Sequence, residues 1–331
     1  MESAIPGLDP AAYRPSRLHD PERAWPETNC YVDLLIEVMH AGGHDPVAAL
    51  GFTVEQDFEG DQFTFFKFPV ADLKRLAGFE IQELAIFDSL ERHVMNQIAR
   101  GRLPLVEVDA HYLPDTRGLT YRMGHSKTTI GINALDPKAR RMVYFHGPGL
   151  WILEGEDYEG IFGPTGGQAG ALPLFPYTEF VKFEAPEAED APAAARDLLR
   201  RHLSNRPAKN PLAAYRAVFD AHAAELAGRD PAYFHVYAFN TLRQFGANFE
   251  LLSTHLDWLR RHGDAGLECA ISAAAGIASS AKTMQFKLAR AMARNRFEGL
   301  AEMLDPMVEA YDATMAELDG WASRAQPRAA A

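Results

Sequence analysis

At residues 184–192 the chain reads E-A-P-E-A-E-D-A-P, and this stretch constrains the fold more than any other. Two prolines interrupt helix and strand pairing alike, four carboxylates hold the backbone in water, and no large apolar side chain is there to bury it. Before it, glycine, proline, aromatic residues and short apolar runs alternate. After it, alanine, leucine, arginine and glutamate dominate, and glycine is rare inside long periodic segments. A chain of 331 residues is also longer than one hydrophobic core usually organises. The expectation is an α+β domain over residues 1–185, a linker, and an all-α helical bundle over residues 190–325.

In the first half, C-Y-V-D-L-L-I-E-V-M-H-A (30–41) sets Val32, Leu35, Ile36 and Met39 at helical spacing, and Gly42-Gly43 stops the helix. Asp45-Pro46 opens a short helix as cap and first residue. Residues 63–68 are aromatic and strand-like; Pro69 then starts a short helix that Gly78 ends. Phe79, Ile81 and Leu84–Ile86 suit a strand, and Asp88 with Glu91 caps a helix over 89–100. Three strands follow at 103–112, 125–133 and 141–146, with Asp115-Thr-Arg-Gly118 and Asp136-Pro137 in the turns. Helices first and an antiparallel sheet after is an α+β order. The second half reads as helices at 190–204, 211–227, 231–262, 266–294 and 297–322. In the third of these the stripe Phe234, Tyr237, Phe245, Phe249, Leu252, Leu256 and Leu259 suits a bundle core.

The balance of charge narrows function. Forty-five acidic against thirty-three basic side chains give a net charge of −12, the wrong sign for gripping a phosphate backbone. No apolar run is long enough to span a membrane and the first thirty residues carry no basic-then-apolar leader, so no membrane partner is expected. Two cysteines cannot build a disulfide framework, which suits a cytoplasmic, reducing setting.

Of the two cysteines, Cys30 is the informative one. It lies in the first turn of an amphipathic helix, where unpaired N–H groups and the helix dipole favour a thiolate. The competing reading is a small buried residue beside the cap Asn29. A nucleophilic thiol needs a base, and His125, beside a polar turn at the start of H-S-K-T-T-I-G-I-N, can project from a sheet edge. Cysteine on an early helix and histidine on a later strand is the papain-type order, although His40, His44, His111 and His146 lie in the same half. Cys269, in C-A-I-S-A-A-A-G, reads as packing.

Several segments carry a resemblance: N-C-Y-V-D (29–33), D-F-E-G-D-Q (57–62), V-E-V-D with L-P-D-T (106–116), H-S-K-T-T-I (125–130) and Y-F-H-G (144–147). They resemble a bacterial domain family of unknown function, which is in turn similar to the butirosin-biosynthesis acyltransferase. The helical half, through F-N-T-L-R-Q-F-G-A-N-F-E (239–250), resembles the helical domain that follows there, so the likeness covers most of the chain. It implies a papain-like first domain that moves an aminoacyl group from a carrier-protein thioester to an amine, with Cys30 as nucleophile and His125 as general base. No bound cofactor is implied; the phosphopantetheine arm of the carrier would bring the acyl group.

Two departures qualify that likeness. Papain-like enzymes place Asn or Asp on the strand after the histidine, to fix its tautomer; here that strand ends in His146. Candidates for the orienting group are His146, Asp109 and Asn133, with Asp109 preferred because a carboxylate accepts from imidazole Nδ1 and stabilises imidazolium. Its rival reading is a turn aspartate capping its own backbone. The papain oxyanion glutamine is replaced by Ala24, which leaves the Cys30 N–H and the Asn29 side chain to serve. Water as acceptor would make the same pair a thioesterase or amidase, and loss of turnover would leave a papain-like scaffold.

Other motifs carry less. Glu37-x-x-His40 has no second copy. His111, His125 and His146 could share a zinc ion only if the sheet brings them together. G-H-S-K-T lacks the second glycine of a nucleophile elbow, and residues 163–170 lack the Lys-Ser pair of a phosphate loop and suit a mobile loop. Against the acidic background, Lys282, Lys287, Arg290, Arg294 and Arg296 form a basic run, with Lys287, Arg290 and Arg294 on one helix face. Carrier proteins are acidic, so that face could steer their docking; it could equally be a solvated helix face.

Overall fold

A computed structural model describes residues 2–163 and 175–324. It divides into two compact units. The first comprises Met1–Asp20, Asn29–Pro46 and Val70–Glu187; the second comprises Pro21–Thr28, Val47–Pro69 and Ala188–Ala331. Two stretches that the sequence reading assigns to the first domain, 21–28 and 47–69, therefore pack with the helices.

The first unit is built on helix α1 (Cys30–Ala41). Asn29 caps it, with its side-chain oxygen accepting from Tyr31 N and Val32 N, and Gly42 ends it. Helix α2 (Val70–Ala77) leads into β1 (Phe79–Glu83), and α3 (Leu90–Ile98), capped by Ser89, leads into β2 (Leu103–Asp109). The rest of the unit is β3 (Lys127–Asp136), β4 (Arg141–His146), β5 (Gly149–Glu154), α4 (Glu156–Phe162) and β6 (Thr178–Phe183). The six strands form one antiparallel sheet in the order β1-β6-β2-β3-β4-β5.

Both faces of the sheet are covered, which is why β3 is buried along nearly its whole length. On one face Leu34 of α1 lies over Gly131: a Cβ there would stand 3.0 Å from Leu34 Cδ1, so the glycine lets the helix approach. On the other face Leu90, Val94 and Ile98 of α3 and Tyr158 and Ile161 of α4 pack with Val106, Ile130, Ile132 and Tyr144. Glu37, buried in α1, ties the N-terminal segment to it: Tyr13 Oη donates to Oε2 at 2.5 Å, and Ser16 N and His19 meet Oε1. Glu37 is thus engaged by His19 and Tyr13, while His40 Nε2 meets Arg14 O, so Glu37-x-x-His40 forms no shared site.

The second unit is helical: α5 (Ala191–Asn205), α6 (Pro211–Ala227), α7 (Tyr233–Ala238), α8 (Gln244–Arg261), α9 (Glu268–Arg294) and α10 (Asp305–Ser323). A π-helical turn over Phe239–Arg243 divides the single helix expected at 231–262. Residues 63–68 form no strand. Phe63 makes one isolated bridge with Phe58 and packs its ring on Tyr215 and Phe245, at 5.2 and 5.1 Å between centroids. Trp25 is buried, donates Nε1–H to Ala278 O at 3.0 Å, and sits against Gly246, where any larger residue would collide with the indole. The backbone N–H groups of Ala24 and Trp25 both donate to the Glu250 carboxylate.

Candidate functional site

Polar groups converge at one end of the first unit's sheet, where β2 ends and β3 begins. Asp109 closes β2 and caps the short 3-10 turn Ala110–Tyr112, its Oδ1 accepting from His111 N at 3.0 Å and Ser126 N at 3.3 Å. Its Oδ2 lies 2.6 Å from His125 Nδ1. Asp109 thus caps the turn with one oxygen and meets His125 with the other. Burial acts to raise the Asp109 carboxyl, but the hydrogen bonds from His125 and the two backbone N–H groups outweigh it and hold it below the usual aspartate range.

His125 lies just before β3 rather than on it, in an irregular stretch, and its side chain is 71% exposed. With Nδ1–H given to Asp109, the Nε2 lone pair points away from the carboxylate and has no hydrogen-bond partner among the described residues. The ring stacks on His111, with centroids 4.4 Å apart and planes 10° from parallel; His111 Nδ1 is itself 3.3 Å from Gly124 O.

His146 enters a different cluster. Its Nδ1 meets Asp115 Oδ2 at 2.5 Å and its Nε2 meets Thr128 Oγ1 at 2.8 Å, while Tyr144 Oη donates to the other oxygen of Asp115. His146 does not orient His125, nor does it join His111 and His125 in a three-imidazole set. Among the described residues no group of three or more His, Cys, Asp or Glu side chains is placed to share a metal ion. Asn133 is occupied elsewhere, exchanging hydrogen bonds with the Ile5 backbone.

Cys30 opens α1 and is partly exposed. The adjacent Tyr31 donates to Glu179 Oε2 at 2.8 Å, and Glu179 of β6 pairs with Leu105 of β2. The helix thus lies on the face of the sheet shared by Leu105 and Gly131. Sγ makes no hydrogen bond to His125 in this structure. Asn29 is buried, and its Oδ1 accepts from Tyr31 N and Val32 N as the cap of α1. Cys269 is exposed, in the first turn of α9, and is not packing as the sequence suggested.

A cavity of roughly 1150 Å³ opens beside His125. His125, Asp109, Glu107 and Lys127 line one side of it; Tyr112, Phe162 and Phe175 supply aromatic walls. Cys30 is not among its lining residues. Nothing in the sequence signals this cavity, because its walls come from α3, α4 and the start of β6, of which the last two lack a clear periodic signature. Beyond Gly163, the expected loop at 163–170 lies outside the described residues.

In the second unit, Lys287, Arg290 and Arg294 are exposed on α9. Lys282 differs: half-buried, its ammonium lies 4.3 Å above the Trp25 ring, and burial, with Arg243 nearby, holds its pKa below the usual lysine range.

Residues 14–183 match the DUF1839 N-terminal domain, and residues 188–320 match the DUF1839 C-terminal domain. The chain belongs to the DUF1839 family. The gap between the two DUF1839 matches falls within the acidic run at 184–192, and the N-terminal match takes in Cys30, Asp109, His125 and His146. Among curated proteins, none matches the chain. Among the described residues, no helix is long and apolar enough to cross a membrane.

Proposed function

We propose that this protein is a cysteine-dependent acyltransferase with a papain-like first domain, in which Cys30 carries the acyl group and His125, oriented by Asp109, moves the protons. The supporting observation is the contact between Asp109 and His125: Nδ1–H is given to the carboxylate at 2.6 Å, leaving the Nε2 lone pair of an exposed ring without a hydrogen-bond partner among the described residues. A cysteine-bearing helix laid on an antiparallel sheet is the arrangement that the resemblance implies.

In the first half-reaction His125 Nε2 takes the Cys30 proton and the thiolate attacks the thioester carbonyl. The carbon–sulfur bond to the carrier breaks, and His125 returns the proton to the departing thiol. In the second, an amine attacks the Cys30 thioester and gives up a proton to His125. Its nitrogen–carbon bond forms as the Cys30 bond breaks, and the thiolate is reprotonated. The Cys30 N–H, with the Asn29 side chain beside it, would meet the oxyanion. The acyl group would be an amino acid on the phosphopantetheine arm of an acidic carrier protein, and Lys287, Arg290 and Arg294 are the exposed cations suited to its docking, with Lys282 contributing less because it is stacked on Trp25.

The lack of a hydrogen bond between Cys30 and His125 favours a second reading, a papain-like scaffold without turnover, although sites of this type often tighten only around substrate. Incubation with an aminoacylated carrier protein separates the two. Acyl transfer requires an intact-mass adduct on Cys30 that is absent from Cys30→Ala; an undischarged carrier and an unmodified protein would leave only the scaffold. Discharge to water without amide product would assign a thioesterase.

A further inference from the structure

The two edges of the first unit's sheet are finished differently. At β1 the sequence F-E-I-Q-E places Glu80, Gln82 and Glu83 along the strand, Glu80 accepts from Lys182 at 2.8 Å, and α2 runs directly into it. Charged side chains on an edge discourage a further strand from pairing there. At the other edge β5 reads G-L-W-I-L-E, with no lysine or proline and a carboxylate only at its end. Trp151 and Ile152 alternate to opposite faces of the strand and are 37% and 38% exposed.

The ladder with β4 fixes which backbone groups of this edge are open. Gly155 N donates to Arg140 O at 3.0 Å, and the register runs from Arg141 opposite Glu154 to His146 opposite Gly149. Hydrogen-bonded pairs alternate along an antiparallel ladder, so they fall at Met142 with Leu153, Tyr144 with Trp151 and His146 with Gly149. The N–H and C=O groups of Leu150, Ile152 and Glu154 therefore face away from β4, and no backbone partner meets them among the described residues.

We infer that β5 is a self-pairing edge: a second copy of this chain adds its own β5 antiparallel to it, joining two six-stranded sheets across a two-fold axis at Ile152. The positions of the open groups select this occupant and this register. Under a two-fold at Ile152, Leu150 faces Glu154 and Ile152 faces itself, so every residue with outward groups meets outward groups of the second copy. A two-fold at Trp151 would set Glu154 against Pro148, which has no N–H, and one at Leu153 would set Leu150 against Glu156 in α4. The side chains suit the same axis. The two Ile152 side chains meet on one face of the joined sheet, and on the other each Trp151 lies opposite Leu153 of the second copy. Both exposed apolar residues of the strand are covered by one contact. It involves neither Cys30 nor His125, so it holds whether or not acyl transfer does.

The test uses the full chain. Sedimentation velocity at rising micromolar concentrations of wild-type protein should show a species of twice the chain mass. Ile152→Lys and Ile152→Glu each set like charges face to face at the axis. Each should raise the dissociation constant at least about a hundred-fold, with circular dichroism and melting temperature near wild type. Mixing the two variants sets lysine against glutamate and should restore the dimer, which a variant that fails to fold would not do. Residue-resolved hydrogen exchange reads the register. Amides of Leu150, Ile152 and Glu154 should be protected in the wild-type dimer and fast in Ile152→Lys, while those of Trp151 and Leu153, bonded to β4, stay protected in both. A monomeric wild type would overturn the inference and leave the edge to a strand of another protein. A dimer indifferent to both substitutions, or a mixture that stays monomeric, would overturn it as well.

Discussion

His125–Asp109 and His146–Asp115 are built alike, each an imidazole Nδ1 on a carboxylate, at 2.6 and 2.5 Å, at the same end of the same sheet. They differ in what the second ring nitrogen meets. His146 is 12% exposed and its Nε2 takes the Thr128 hydroxyl, so every polar atom of the ring has a partner. His125 is 71% exposed and its Nε2 has none among the described residues. A satisfied, buried pair holds strands together; an oriented but unsatisfied one is equipped to take a proton. The carboxylate alone does not distinguish the two roles, and the environment of Nε2 does.

The largest expected effects lie along that contrast. His125→Asn should lower acyl transfer on the order of 10²–10⁴-fold, the usual contribution of a general base, with little change in melting temperature. If the stability falls instead and residual activity is high, the pair is structural. Asp115→Ala leaves His146 Nδ1 and Tyr144 Oη buried without their acceptor, and should cost about 3–5 kcal/mol in a denaturant titration. Asp109→Asn, at the exposed pair, should cost far less stability while reducing turnover; equal costs at the two aspartates would erase the comparison.

A smaller effect comes from two other buried histidines, one in each unit. In the first, burial acts to lower the His19 pKa, but Asp33 and Glu37 outweigh it and raise it to about 9. That contribution is complete below the unfolded value near 6.5 and is lost as pH rises through 9. In the second unit His255, fully buried with Nδ1 on Val47 O, is lowered to about 4 by burial; its contribution is complete above 6.5 and is lost as pH falls toward 4. Each amounts to a few kcal/mol, since every ten-fold difference in proton affinity between the folded and unfolded chain is worth about 1.4 kcal/mol. Hydrogen exchange across pH should therefore show the α1 region loosening at alkaline pH and α8 at acid pH. The same trend in both would contradict these assignments.

Local signals made parts of this architecture legible. Asn29 and Gly42 bracket α1 so plainly that its limits follow from the sequence, whereas for His125 the sequence offers Asp109, His146 and Asn133 as partners and only prefers the first. What escaped was set by tertiary context. Phe63, Phe66 and Phe68 look like a strand but are buried in aromatic packing of the second unit. The His146 cluster joins a 3-10 turn to two strands, an adjacency no spacing encodes. Strand β5 follows β4 through the tight turn at Gly147, whose φ is +50°, and β6 is separated from the hairpin it follows in sequence by β2 and β3. Cys269 misled because a small-residue sequence says nothing of which side of α9 is covered.

That last residue supplies the control for the central claim. Cys30 and Cys269 both stand in the first turn of a helix, and Cys269 is the more exposed. Helix position alone therefore cannot make Cys30 the faster nucleophile. Site-resolved iodoacetamide labelling at neutral pH should modify Cys30 well ahead of Cys269, and His125→Asn should abolish the difference. Labelling of Cys269 first, or a Cys30 rate indifferent to His125, would contradict the account.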